Sequence, residues 1–198
     1  FDCFFFDGKT LRPDLPEVKN NYGYWSLLGR CFWMLPAQAA LVLRKAVQAK
    51  RQQAFQRVAA DFDLYHEAAF FPFLTPPGIK TVFTVHDLSL MRHSEFHPKE
   101  RVWFHQAYFQ SRCEQVDHFL CVSDFTRTEL QDLLAVPESR ISLTPLAPDA
   151  SVFYPRNQEQ IHQFRRKYNI PESYFCAVGS GDPRKNTCLT LQALRQAG

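Results

Sequence analysis

Two stretches of the chain combine residue types and spacings that support chemistry. The first is Tyr174-Phe-Cys-Ala-Val-Gly-Ser-Gly-Asp-Pro-Arg-Lys-Asn186. Tyr174 to Val178 is apolar and rich in aromatic and β-branched residues, as a buried strand is. Gly179 and Gly181, either side of Ser180, allow a sharp turn and a close approach of backbone to ligand. Asp182 and Pro183 then match the N-cap and first position of a helix continuing through Thr187 to Ala197. A strand, a glycine turn and a fresh helix N-terminus put unpaired N–H groups and a positive dipole end at one spot. Arg184 and Lys185 add two cations. The ligand that suits this arrangement is a phosphate or diphosphate, although Gly-Ser-Gly matches neither the dinucleotide fingerprint nor the P-loop.

The second stretch follows the clearest strand pattern in the chain, 79–85 (IKTVFTV), which runs straight into His86 and Asp87. An imidazole at a strand end is a hydrogen-bonding or acid–base group active near neutral pH. Asp87 fits a partner for a nearby arginine or a cap for the next turn. His93 and His97 stand four apart and, with His86 and Asp87, invite a metal-hydrolase alternative. Pro98 directly follows His97, so the helical face that holds two zinc-binding histidines is not expected, and no metal is expected. Ser123 lacks the surroundings of a nucleophile elbow and reads as the N-cap of a helix from Asp124 to Leu134.

The elements that position these residues follow in order. Residues 1–6 read as a strand and 7–29 as a loop. Residues 37–60 lack Gly and Pro and read as a helix with Leu43, Val47, Ala54 and Val58 on its apolar face. That helix carries Arg44, Lys45, Lys50, Arg51 and Arg57 with no acidic residue before Asp61, a pattern that permits contact with anionic headgroups. Further strands are expected at 63–67, 117–122 and 140–144, and helices at 98–116 and 158–168. Strands alternating with helices, without hairpins, predict an α/β, doubly wound Rossmann-like parallel sheet. Ligands of such sheets sit at the carboxyl ends of the strands. His86, Asp87, Ser123 and Gly179–Lys185 all fall there.

The chain has 198 residues, a net charge of +3, 19 Phe and six Cys without a CxxC pair. The charge is too mild for a nucleic-acid binder. The phenylalanines predict a large buried core. Cys121 and Cys176 lie in apolar runs and read as buried free thiols of a reducing, cytoplasmic compartment. No run is long enough to span a membrane. The chain opens on Phe1 inside an apolar run and closes at Gly198 directly after a helix, so it reads as a fragment truncated at both ends.

Four segments occur in a telling order: 83–88 (FTVHDL), 121–127 (CVSDFTR), 140–149 with 153–155 (RISLTPLAPD, FYP) and 177–186 (AVGSGDPRKN). Together they resemble the group 1 retaining glycosyltransferases of GT-B fold, from about Asp63 to the end of the chain. Residues 1–62 match only in general pattern. The resemblance implies two Rossmann-like domains facing across a cleft. Residues 1–150 would form the acceptor side, 151–170 the connection, and 171–198 the first strand–helix unit of the donor domain.

It also implies a hexosyltransferase-like enzyme using a nucleotide-diphosphate sugar and a carbohydrate or lipid-linked acceptor, as in cell-envelope polysaccharide synthesis. No cofactor or nucleic acid is implied. The location would be cytoplasmic and peripheral to the inner membrane face, with 37–60 as the contact. By resemblance, His86 would contact the transferred sugar, with Asp87 and Ser123 supporting it. Gly179, Ser180, Gly181, Arg184 and Lys185 would hold the donor diphosphate. Relatives carry an arginine where Ser180 stands here, and Asn-Gly-Val-Asp where this chain has Leu146-Ala-Pro-Asp149. The family's E-x7-E motif and glycine-rich acceptor loop are absent, so the fragment itself is expected to be inactive. The alternative from another class is a non-catalytic α/β module that binds a nucleotide or a partner.

Overall fold

The computed structural model describes residues 2–13, 34–68, 70–176 and 185–197. The chain divides into two compact units, Phe1–Pro145 and Leu146–Gly198. The first is α/β, built on a Rossmann-like parallel sheet in which β3 (Leu64–Glu67), β4 (Lys80–Val85), β5 (His118–Cys121) and β6 (Ile141–Leu143) lie side by side in chain order. Asp117 fixes one edge of the register. Its carboxylate accepts from Lys80 Nζ and from Thr81 N, both at 2.8 Å, which lowers its pKa.

Strand periodicity decides where the core lies. Phe83 and Val85 on β4 alternate with half-buried Val82 and Thr84, and Phe119 and Cys121 on β5 follow the same rule. These residues pack against Phe109 and Cys113 of α3 (Lys99–Glu114) and Leu130 of α4 (Asp124–Leu134). The opposite face of the sheet is half-exposed and carries two hydrogen-bonded pairs, His66 with Thr84 at 2.8 Å and His118 with Ser142 at 2.9 Å.

Several expectations need correction. The opening strand is only β1 (Phe5–Phe6), and it pairs antiparallel with β2 (Leu11–Arg12). A hairpin therefore precedes the alternating part. Gly8, at φ +97°, supplies its turn, with Asp7 accepting from the N–H groups of Lys9 and Thr10. Between β3 and β4 the crossover is the proline-marked loop itself, with no helix among the described residues.

The long helix α1 (Ala37–Ala59) turns only part of the expected face inward, with Ala54 and Val58 half-buried. Ala40, Phe55 and Ala59 are buried, whereas Leu43 and Val47 are 44% and 48% exposed. Polar pairing explains the rotation. Arg44 reaches buried Glu100 at 2.9 Å, joining α1 to α3. Gln52 holds both the N–H and the C=O of Leu74, at 2.9 and 2.8 Å, and also accepts from Arg112 at 2.7 Å. Stripe counting reads apolar residues alone and so misses a face that docks by hydrogen bonds. Among the described residues no helix is long and apolar enough to cross a membrane.

In the second unit, α5 (Gln158–Tyr168) has a full capping box. Asn157 and Gln160 each accept from the other's backbone N–H, at 2.9 and 3.3 Å. Tyr174–Cys176 form no strand, and Tyr174 and Phe175 are exposed, as is Cys176, against the expectation of burial. A strand requires a neighbour to pair with, and none among the described residues lies beside them. Helix α6 runs from Thr187 to Ala197, and Asn186 before it sits at φ +46°. The described helix therefore begins at Thr187. Gly179, Ser180, Gly181, Asp182, Pro183 and Arg184 lie outside the described residues.

Candidate functional site

The carboxyl ends of β4 and β5 converge through a short polar chain. His86 is the first residue after β4, and its Nε2 lies 2.9 Å from the Ala68 carbonyl beyond the end of β3. A carbonyl only accepts, so Nε2 carries the proton and Nδ1 is the ring's remaining polar atom. Val85 just before it and Leu88 two residues after it anchor this position, each 2% exposed, while His86 itself is exposed.

The backbone carbonyl of His86 accepts from Thr126 Oγ1 at 3.2 Å. Thr126 is buried in the first turn of α4, and its hydroxyl also lies 3.0 Å from Ser123 Oγ. The threonine proton is committed to His86, so Ser123 is the donor of that hydroxyl pair. Ser123 Oγ also accepts from Thr126 N at 3.2 Å, which makes Ser123 the N-cap of α4 as expected. Its proton points at Thr126, and among the described residues no base addresses it. Ser123 therefore positions, through Thr126, the turn that carries His86. Sequence reading missed Thr126. Its position three residues after an N-cap serine is the available signal.

Asp87 accepts from Ser89 N at 2.9 Å in an Asx turn that leads into α2 (Ser89–Arg92). His97 Nε2 lies 2.9 Å from Ser89 Oγ, and exposed His93 lies 3.7 Å from Glu95. Among the described residues no three His, Cys, Asp or Glu side chains come together as a metal would require. His86, Asp87, His93 and His97 thus fall near one segment without forming one ligand set. Arg92 ties this segment to α4 through buried Glu129, at 3.2 Å. Lys185, the described member of the expected phosphate group, is exposed and belongs to the second unit.

One buried base lies behind the site. His105 on α3 is 7% exposed and stacks on Phe109 with ring centroids 3.9 Å apart. Burial, helped by the charge of His97, pushes its pKa from 6.5 down to about 4. Above pH 6.5 both folded and unfolded forms are neutral. On acidification the unfolded chain takes up the proton first, so stability falls between pH 6.5 and about 4. The full loss is about 3 kcal/mol. Replacing His105 with Phe should flatten urea-measured stability over that window. An unchanged slope would show that His105 titrates normally.

The model of the family described as Glycosyltransferase Family 4 matches residues 10–151, most of the chain. The chain belongs to glycosyltransferase family 4. The match begins well before Asp63, so β2 and α1 lie within the matched region, whereas β1 and the Gly8 turn precede it. The O-antigen chain mannosyltransferase B of Escherichia coli is 31% identical over 191 residues, covering 95% of this chain and 49% of the relative. The chain therefore spans about half the length of this curated relative. In family 4 terms, the ends of β4 and β5, with His86 and the Ser123–Thr126 cap, lie within the matched region, whereas Lys185 lies beyond it.

Proposed function

We propose that this chain supplies the acceptor side, and the opening of the donor side, of a retaining glycosyltransferase of GT-B type. Sugar passes from a nucleotide-diphosphate donor to a carbohydrate or lipid-linked acceptor. The relative's name makes mannose and a polysaccharide chain the first donor sugar and acceptor to test. The observation that carries the reading is His86, held at the end of β4 by Ala68 and tied through its backbone to α4. In this reading the ring lies against the transferred sugar and helps stabilise charge at the reacting centre. Lys185, with Arg184 and the Gly179–Gly181 turn, holds the diphosphate. Asp87 shapes the turn after His86.

Residues 1–150 then act on the acceptor side, 151–170 connect, and 171–198 open the donor domain. The test uses full-length protein and labelled nucleotide-diphosphate mannose. A charge-assisted contact to a diphosphate is worth roughly 1.5–3 kcal/mol, so Lys185→Ala should lower kcat/KM for the donor about ten- to a hundredfold. Lys50→Ala, on exposed α1 surface, should leave it unchanged. Equal values for the two variants would remove the phosphate assignment. Absence of transfer from any nucleotide sugar would remove the function.

A further inference from the structure

The contact that orients His86 lies beyond the pairing of the sheet. β3 and β4 last pair at Glu67 and Phe83, so Ala68 stands one residue past that pair and His86 three. The Ala68 carbonyl, which His86 Nε2 addresses at 2.9 Å, is therefore aimed by what surrounds the end of β3 and not by the ladder. Glu67 Oε1 accepts from Phe70 N at 3.3 Å and closes a short turn that contains Ala68. Glu67 Oε2 accepts from the Tyr65 hydroxyl at 2.5 Å, and that hydroxyl accepts in turn from Phe73 N at 3.3 Å. Burial and the Glu67 carboxylate raise the Tyr65 pKa far above its usual range, so the hydroxyl keeps the proton it donates.

The far end of this line is apolar packing. The Tyr65 ring lies against Phe55 and Phe73, with centroids 4.6 and 6.3 Å away, in the smaller core cluster. Farther along the loop, Arg112 donates to the Pro72 carbonyl at 3.3 Å, and Gln52 holds Leu74. A continuous series of contacts thus runs from packed rings through Tyr65, Glu67 and Ala68 to the imidazole. Glu67 is its joint, because one oxygen serves the turn and the other the tyrosine. Both oxygens are thereby engaged, which favours positioning over direct contact with a ligand in the cavity of about 360 Å³ that Glu67 also lines.

We propose that Glu67, backed by Tyr65, is a positioning residue for His86, fixing the Ala68 carbonyl so that the ring donates from Nε2 and presents Nδ1 as an acceptor. The inference rests on the glycosyltransferase reading and adds a residue to its machinery. Kinetics of full-length protein with labelled nucleotide-diphosphate mannose test it. Glu67→Ala should lower kcat about tenfold with KM nearly unchanged, because a displaced ring loses orientation and not binding. Glu67→Gln keeps an oxygen for Phe70 N and an amide N–H for the Tyr65 hydroxyl, so it should retain most of the rate. Tyr65→Phe keeps the ring in the core, removes the hydroxyl alone and should cost about three- to tenfold in kcat. In a His86→Ala background none of these changes should lower kcat further, since they act through the imidazole. Melting curves check that each variant is folded.

Wild-type kcat in Glu67→Ala, or in Tyr65→Phe where the alanine variant does not fold, overturns the proposal. Glu67→Gln as slow as Glu67→Ala also overturns it and assigns the charge to a ligand. So does a further loss on top of His86→Ala, which would mean that Glu67 acts without the imidazole. These three outcomes leave the transferase reading standing. Absence of transfer from any nucleotide sugar by the wild-type protein is the separate result that sinks that reading, and this role with it.

Discussion

Replacing His86 with alanine in the full-length protein will lower kcat for sugar transfer by about 10²–10³-fold, the usual cost of losing one preorganised group at a reacting centre. The size follows from how the ring is held. Its Nε2–H is committed to Ala68, Val85 and Leu88 bury the flanking backbone, and Thr126 fixes the carbonyl. An oriented imidazole needs little reorganisation at the moment of reaction, so its loss appears in kcat more than in KM. Ser123→Ala provides the contrast. It removes an N-cap worth about 1 kcal/mol and should lower stability with only a small change in rate. Wild-type kcat in His86→Ala would leave the site without its central residue, and the non-catalytic binding module would replace the transferase reading.

Phe119→Ala will destabilise the first unit by about 3–5 kcal/mol, the cost of removing a phenyl ring from a closed core. Phe119 is fully buried in the middle of the sheet, 6.2 Å from the Phe83 ring and 5.7 Å from the Arg140 guanidinium. β4 and β6 flank its strand on both sides, which leaves the neighbours little room to collapse into the space. A domain of this size has a total stability of about 5–15 kcal/mol, so the urea midpoint should drop steeply. Phe125→Ala, six residues away and 72% exposed, should shift it by less than about 0.5 kcal/mol. Comparable losses for the two variants would mean that the packing around Phe119 is not as close as its burial indicates.

These two phenylalanines show where composition stops being informative. Nineteen Phe suggested one large core. Among the described residues the buried ones are Phe55, Phe73, Phe83, Phe109 and Phe119, divided between two clusters, while Phe70, Phe125, Phe153 and Phe175 are largely exposed. Residue type alone does not assign a ring to a face.

What the sequence by itself determined is the local grammar and, through it, the family. The α/β class, the strand running into His86, the Ser123 cap and the bounds 124–134 and 158–168 were all legible. Each depends on residues within a few positions of one another, where turn, cap and periodicity signals act. The order of four short motifs sufficed for the glycosyltransferase resemblance, and the family match agrees with it.

Tertiary structure decided what depends on contacts between distant parts of the chain. Which face of α1 points inward was set by Glu100, Leu74 and Arg112, each more than twenty residues from its α1 partner. Thr126 became a positioning residue only because the ends of β4 and β5 are adjacent in the sheet. Arg44, Arg51 and Arg101 were surface cations on two helices until packing brought them around one cavity. Short-range rules fix backbone conformation, whereas a buried hydrogen bond or ion pair rewards whichever partner the fold delivers, and no spacing along the chain encodes that choice.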